Sequence, residues 1–164
     1  MFLLAKAHEA AGDQAASLET YTRLATEYPN SEWTMMGRVI QGRLLQRQGR
    51  WEDARQAFER GMAGSDVPAA VEAAFELGEG LRKRGAHEDA TEAYLTAAYL
   101  APDSVWARRA LLGAGQSFTT LRQRDAAGIV YRKLLAEPGV EPDLAQQARQ
   151  ALAALGAPAR TEAR

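Results

Sequence analysis

The chain has no cysteine, which excludes disulfides, thiol nucleophiles and thiolate-held metals. It has two histidines, His8 and His87, far apart and outside any metal-ligand spacing such as H-E-x-x-H. It holds a single asparagine, Asn30, and six prolines, and it shows no G-x-S-x-G and no phosphate-binding glycine loop. No apolar run approaches the roughly 18–20 residues needed to cross a bilayer as a helix. The opening Met1-Phe2-Leu3-Leu4-Ala5 is interrupted by Lys6, His8 and Glu9, too early for a secretory h-region, and reads as helix. Charge of one sign is also missing: 20 basic against 21 acidic residues leave a net −1, so no strong field points to nucleic acid or an anionic membrane. No catalytic residue, cofactor site or metal site assembles from what remains.

What is present is an internal rhythm. Tyr21, Phe58, Tyr94 and Tyr131 recur at spacings of 37, 36 and 37 residues. Ser17, Ala54, Ala90 and Ala127 keep the same phase four positions earlier, and Ala5, Gly42, Gly78 and Gly115 keep it twelve positions before those. Three in-phase series over 164 residues predict an all-α solenoid of about four helix pairs. Its repeats cover about 1–30, 31–66, 67–103 and 104–141. Gly12, Gly49 and Gly85 mark the turn inside the first three pairs, where a glycine can take the left-handed conformation that stops a helix. Arg122 stands there in the fourth, and the turn must then change geometry or accept about 1–2 kcal/mol of strain.

Second helices are expected over 14–27, 51–63, 87–100 and 124–137, and first helices over 32–48, 68–84 and 105–121. Ser31 and Ser104 are N-caps, and Pro68 suits a first turn. Gly42, Gly78 and Gly115 fall inside the first helices, which predicts close approach of the paired helix. Asp143 and Gln146 form a capping-box pattern that opens a closing helix over 143–155. It carries Leu144, Ala148, Ala151, Leu152 and Leu155 on one side, as a solenoid end requires. Residues 156–164 read as a polar tail.

In the third repeat Leu77, Gly78, Leu81, Gly85, Ala90, Tyr94, Ala97 and Pro102 stand at successive signature positions of the tetratricopeptide repeat (TPR), which the chain resembles. Gly42, Leu45, Gly49, Ala54, Phe58 and Gly61 do so in the second, although Asp66 replaces the usual proline. The period of 36–37 exceeds the usual 34 and implies slightly longer turns. The resemblance implies a right-handed superhelix and a non-catalytic scaffold that binds a peptide or protein segment along a concave groove.

Carried over residue by residue, the family's groove positions fall on Met36, Val39, Arg43, Gln46 and Arg47, then Glu72, Phe75, Glu79, Arg82 and Lys83, then Arg109, Leu112, Gln116, Thr119 and Thr120. Arg43, Arg47, Arg82, Lys83 and Arg109 would form a basic belt around Met36, Phe75 and Leu112. Reversing Arg43 and Arg47 to Glu should then weaken partner binding without unfolding the array. The family's clamp for a terminal carboxylate needs groove asparagines, and Asn30 lies at a junction instead.

Trp33 and Trp106 occupy equivalent places 73 residues apart and are expected to pack repeat junctions. Their surroundings, Tyr28-Pro29-Asn30-Ser31-Glu32-Trp33 and Pro102-Asp103-Ser104-Val105-Trp106, are similar to junctions in bacterial envelope TPR proteins. That similarity implies the periplasm or envelope, with the cytoplasm as the alternative. The first helix exposes Phe2, Leu3 and Leu4 at an uncapped end, and the other reading is therefore an assembly module. Such a module would meet a second copy or further repeats of a longer chain.

Overall fold

A computed structural model describes residues 1–156; of the tail expected over 156–164, Gly156 belongs instead to the last helix and the rest lies outside the described residues. The described chain runs α1 (Phe2–Ala10), α2 (Gln14–Glu27), α3 (Glu32–Arg47), α4 (Trp51–Met62), α5 (Val67–Lys83), α6 (His87–Leu100), α7 (Val105–Thr120), α8 (Arg124–Ala136) and α9 (Pro142–Gly156). Strands are absent among the described residues, and none of these helices is long and apolar enough to cross a membrane. The helices pair as α1/α2, α3/α4, α5/α6 and α7/α8, closed by α9.

The turns follow the expected chemistry. Gly12, Gly49 and Gly85 have φ of 80°, 76° and 79°, and Arg122 is drawn into the same left-handed region at φ 59°. Arg122 thus keeps the turn geometry at the expense of a strained backbone. Ser31 and Ser104 cap α3 and α7 through their Oγ atoms, which accept from Thr34 N at 3.2 Å and Ala107 N at 3.0 Å. Asp13 caps α2 in the same way, accepting from Ala16 N at 3.0 Å. The closing helix begins two residues earlier than an Asp143 cap requires. Pro142 opens it, the Ala145 amide reaches back to the Glu141 carbonyl, and Asp143 sits inside the first turn.

The in-phase glycines seat rings. A Cβ on Gly78 would stand 2.6 Å from Tyr94 Cδ1, and one on Gly42 would stand 2.7 Å from Phe58 Cδ1. Gly115 stands in the same relation to Tyr131. Phe58, Tyr94 and Tyr131 thus each occupy the space that a side chain on the partner helix's glycine would fill. Tyr94 also touches Gly113 of the next repeat, so one ring joins two pairs. Ala54, Ala90 and Ala127 are fully buried beside these rings, as is Ser17 in the first pair.

The largest core cluster runs from Leu45 through Phe58, Tyr94 and Tyr131 to Ala148 of α9. A separate cluster of Ala5, Tyr21, Leu24 and Leu44 joins the first pair to α3. First helices pack in sequence, α1 to α3 to α5 to α7 to α9, whereas the backbones of successive second helices stand farther apart. Contact on one side and splay on the other makes the first helices the inner face of the array.

Candidate functional site: the inner face of the first helices

Four helices supply this face, each with the same positions turned inward. Because the repeat period is 36–37 residues, Phe2, Val39, Phe75 and Leu112 are equivalent, and so are Trp33 and Trp106. The two aromatic positions make two matching ring pairs. Phe75 and Trp106 have centroids 5.2 Å apart at 38°, and Phe2 and Trp33 are 5.2 Å apart at 43°. Behind them, Tyr94 lies 6.1 Å from Phe75 and Tyr21 5.9 Å from Phe2. Trp106 is half-buried between Phe75 and two guanidinium groups, Arg43 at 5.8 Å and Arg109 at 5.2 Å. Trp33 is more open, 53% exposed. Both tryptophans pack a repeat junction as expected, each on the phenylalanine of the preceding first helix.

Charge on this face is arranged differently from the expected basic belt. Arg43 reaches from α3 to α5, donating from Nε to Glu76 at 2.7 Å and from Nη2 to Glu72. Burial disfavours the Arg43 charge, but the two carboxylates outweigh it and hold its pKa above the usual arginine value. Arg82 is committed as well: its Nη2 donates to Glu79 at 3.0 Å and its Nε to the Tyr94 hydroxyl at 3.1 Å. Tyr94 in turn donates to Glu79. Burial raises the Glu79 pKa, yet the bonds from Arg82 and Tyr94 prevail and keep it below the usual carboxylate range. Burial first, and then the Glu79 carboxylate, push the Tyr94 hydroxyl pKa up against the opposing effect of Arg82.

Three other cations of the belt are exposed to solvent and held by no close ion pair. Arg47 is 63% exposed and only 4.0 Å from Glu9, while Lys83 and Arg109 form no ion pair among the described residues. Arg47 and Lys83 share a cleft of about 520 Å³ with Arg43, Gln46, Glu76 and Arg84. Arg84 is occupied there, stacked 4.0 Å over Trp51 and donating to the Gly80 carbonyl at 3.1 Å.

Two expected groove residues are core residues instead. Val39 is fully buried against Ala69 and Ala73, and Leu112 is 7% exposed within the main cluster. They occupy the position of Phe75, but their side chains are too short to pass beyond the packed layer, whereas the phenyl ring does. Met36, Phe75, Glu79, Arg82 and Gln116 are half-buried on the inner side, and Arg47, Lys83 and Arg109 are exposed. The residue pair missed in the sequence is Phe2 with Phe75, whose 73-residue separation equals that of Trp33 and Trp106.

Comparison with known proteins agrees with the helical-repeat fold. Two tetratricopeptide-repeat family profiles match, one over residues 1–31 and one over residues 41–105. No curated protein matches the chain in sequence. The fold is similar to that of a tetratricopeptide repeat protein from Parabacteroides merdae ATCC 43184, with a TM-score of 0.74 and 18% identity over 92% of this chain. This chain spans 56% of that protein's length. MamA gives a TM-score of 0.67 at 16% identity, covering 92% of this chain and 91% of its own. BtubC (BKLC) from P. vanneervenii gives 0.69 at 16%, covering 93% and 68%. Tetratricopeptide repeats are modules of protein–protein interaction, and this chain is a tetratricopeptide-repeat solenoid.

Proposed function

We propose that the chain is a non-catalytic scaffold that holds an extended segment of a partner protein along the inner face of α1, α3, α5 and α7. The observation that carries this reading is the pair of half-open aromatic platforms, Phe2–Trp33 and Phe75–Trp106, repeated with one geometry two repeats apart. Tryptophan platforms of this kind are enriched among binding hot spots. Each would seat one apolar side chain of the segment. Arg47, Lys83 and Arg109, not engaged in close ion pairs, would orient carboxylates between those anchors. The reversal of Arg43 is a poor probe, because it would set a third carboxylate beside Glu72 and Glu76. Suitable variants are Trp106→Ala and Arg109→Glu.

Peptides selected from a displayed library on the wild-type protein should lose at least tenfold in affinity on Trp106→Ala. Unchanged affinity across the selected set would reject the inner face. The junction sequences around Trp33 and Trp106 support an envelope location for this scaffold, which fractionation of the source cells would check.

A second reading, self-association or assembly, is favoured by the end of the first pair. Leu3 is 77% and Leu4 53% exposed, and a cleft of about 450 Å³ is lined by Met1, Phe2, Leu3, Leu24, Tyr28, Ser31 and Trp33. Such an end accommodates another helix pair, from a second copy or from further repeats. Light scattering of residues 1–164 over a wide concentration range decides for the second copy if it gives a dimer that Leu3→Glu returns to monomer.

A further inference from the structure

The outer side of the first junction departs from the repeat. At the second and third junctions the floor between neighbouring second helices is apolar: Ala74 and Leu77 of α5, then Leu111 and Ala114 of α7, all buried. The equivalent residues of α3 are Arg38 and Gln41. There α2 and α4 stand apart over a cleft of about 600 Å³ whose apolar base is Leu18, Leu45 and Ala57. A polar pair at a position that the array otherwise gives to its core is the kind of local inconsistency that marks a functional site.

The charges in the cleft are unbalanced. Arg38 donates from Nη1 to the Arg60 carbonyl at 3.2 Å and touches Met35 Sδ at 3.5 Å, and Gln41 donates to Thr22 Oγ1 at 3.1 Å. Neither Arg38 nor Arg60 forms an ion pair with any described residue, although the walls also carry Glu19 and Asp53. Asp53 is held by Arg50 at 2.7 Å, and Glu19 pairs with none of the described residues. Partial burial and the neighbouring Arg60 charge both lower the Arg38 pKa. Two cations thus repel each other above an apolar base, and neither is neutralised by an ion pair with a described residue.

We propose that the cleft between α2 and α4 binds an oxyanion, held by Arg38 and Arg60, with apolar groups of the same ligand resting on Leu18, Leu45 and Ala57. Guanidinium forks match the oxygens of carboxylate and phosphate alike. The site stands on the side opposite the aromatic platforms, and its existence does not depend on theirs.

The test is titration of the ¹⁵N-arginine-labelled protein at constant ionic strength, reading the side-chain Nε–Hε signals. One arm uses inorganic phosphate, the other a capped Glu-Leu-Leu-Glu peptide. A saturable shift confined to Arg38 and Arg60 is expected in at least one arm, and the arm that saturates at lower concentration identifies the source of the oxyanion. Arg60→Gln keeps the main-chain carbonyl that Arg38 grips, and so preserves a purely structural tether. It should weaken binding at least tenfold, as should Arg38→Ala, which restores the residue type found at Ala74. Non-saturating shifts in both arms, or equal affinity in Arg60→Gln, would overturn the site.

Discussion

Ser17 occupies the place that Ala54, Ala90 and Ala127 fill in the other pairs, and its hydroxyl is buried with no hydrogen-bond partner among the described residues. A buried hydroxyl left unbonded costs about 1–3 kcal/mol, and alanine is also the better helix former. Ser17→Ala should therefore raise stability by about 1–2 kcal/mol, read as a higher urea midpoint with an unchanged slope. Arg122 offers a similar gain through the backbone. Arg122→Gly removes the left-handed strain that the φ of 59° imposes, and should add about 1 kcal/mol after the entropy of the freer unfolded chain is counted. A lowered midpoint in either variant would contradict the account of that residue. Both positions are legible in the sequence, because each breaks a series that the other repeats keep.

At the scale of elements, the helix pairs could be read directly from periodicity, the turn glycines and the serine caps. What could not be read is how a side chain from one helix meets the next. Arg43 with Glu72 and Glu76 lie 29 and 33 residues apart, and their meeting depends on the rotation between successive pairs, which the repeat period does not encode. Val39 and Leu112 failed as groove residues for a related reason: equivalence of position does not give equal reach to side chains of unequal length. The Glu79–Arg82–Tyr94 network, which ties α5 to α6, has a consequence in acid. Because the folded-state pKa of Glu79 is depressed, its contribution is complete above the unfolded glutamate value of about 4.3 and is lost as pH falls through the lower folded value. Glu79→Gln should be less stable than wild type at pH 7, and the difference should shrink by pH 3. An equal difference at both pH values would show that the carboxylate charge is not what the network uses.

At the scale of the molecule, α9 closes one end while the first pair leaves Leu3, Tyr28 and Trp33 open at the other. The inner face runs between these ends, with its ring pairs two repeats apart and the exposed Arg47, Lys83 and Arg109 alongside. Its fold class was legible in the sequence because three residue series share one phase. The aromatic platforms are only half legible there: Trp33 and Trp106 sit in similar junction sequences, whereas Phe2 and Phe75 share their 73-residue spacing without a common local motif.

The most direct test of the inner-face account is amide-resolved NMR of the protein titrated with a library-selected peptide. The account predicts shifts clustered on α3, α5 and α7 around Phe75, Lys83, Trp106 and Arg109, with a second cluster at Phe2 and Trp33 when the peptide carries two apolar anchors. Shifts confined to the outer helices α2, α4 and α6, with the inner tryptophans unmoved, would contradict it.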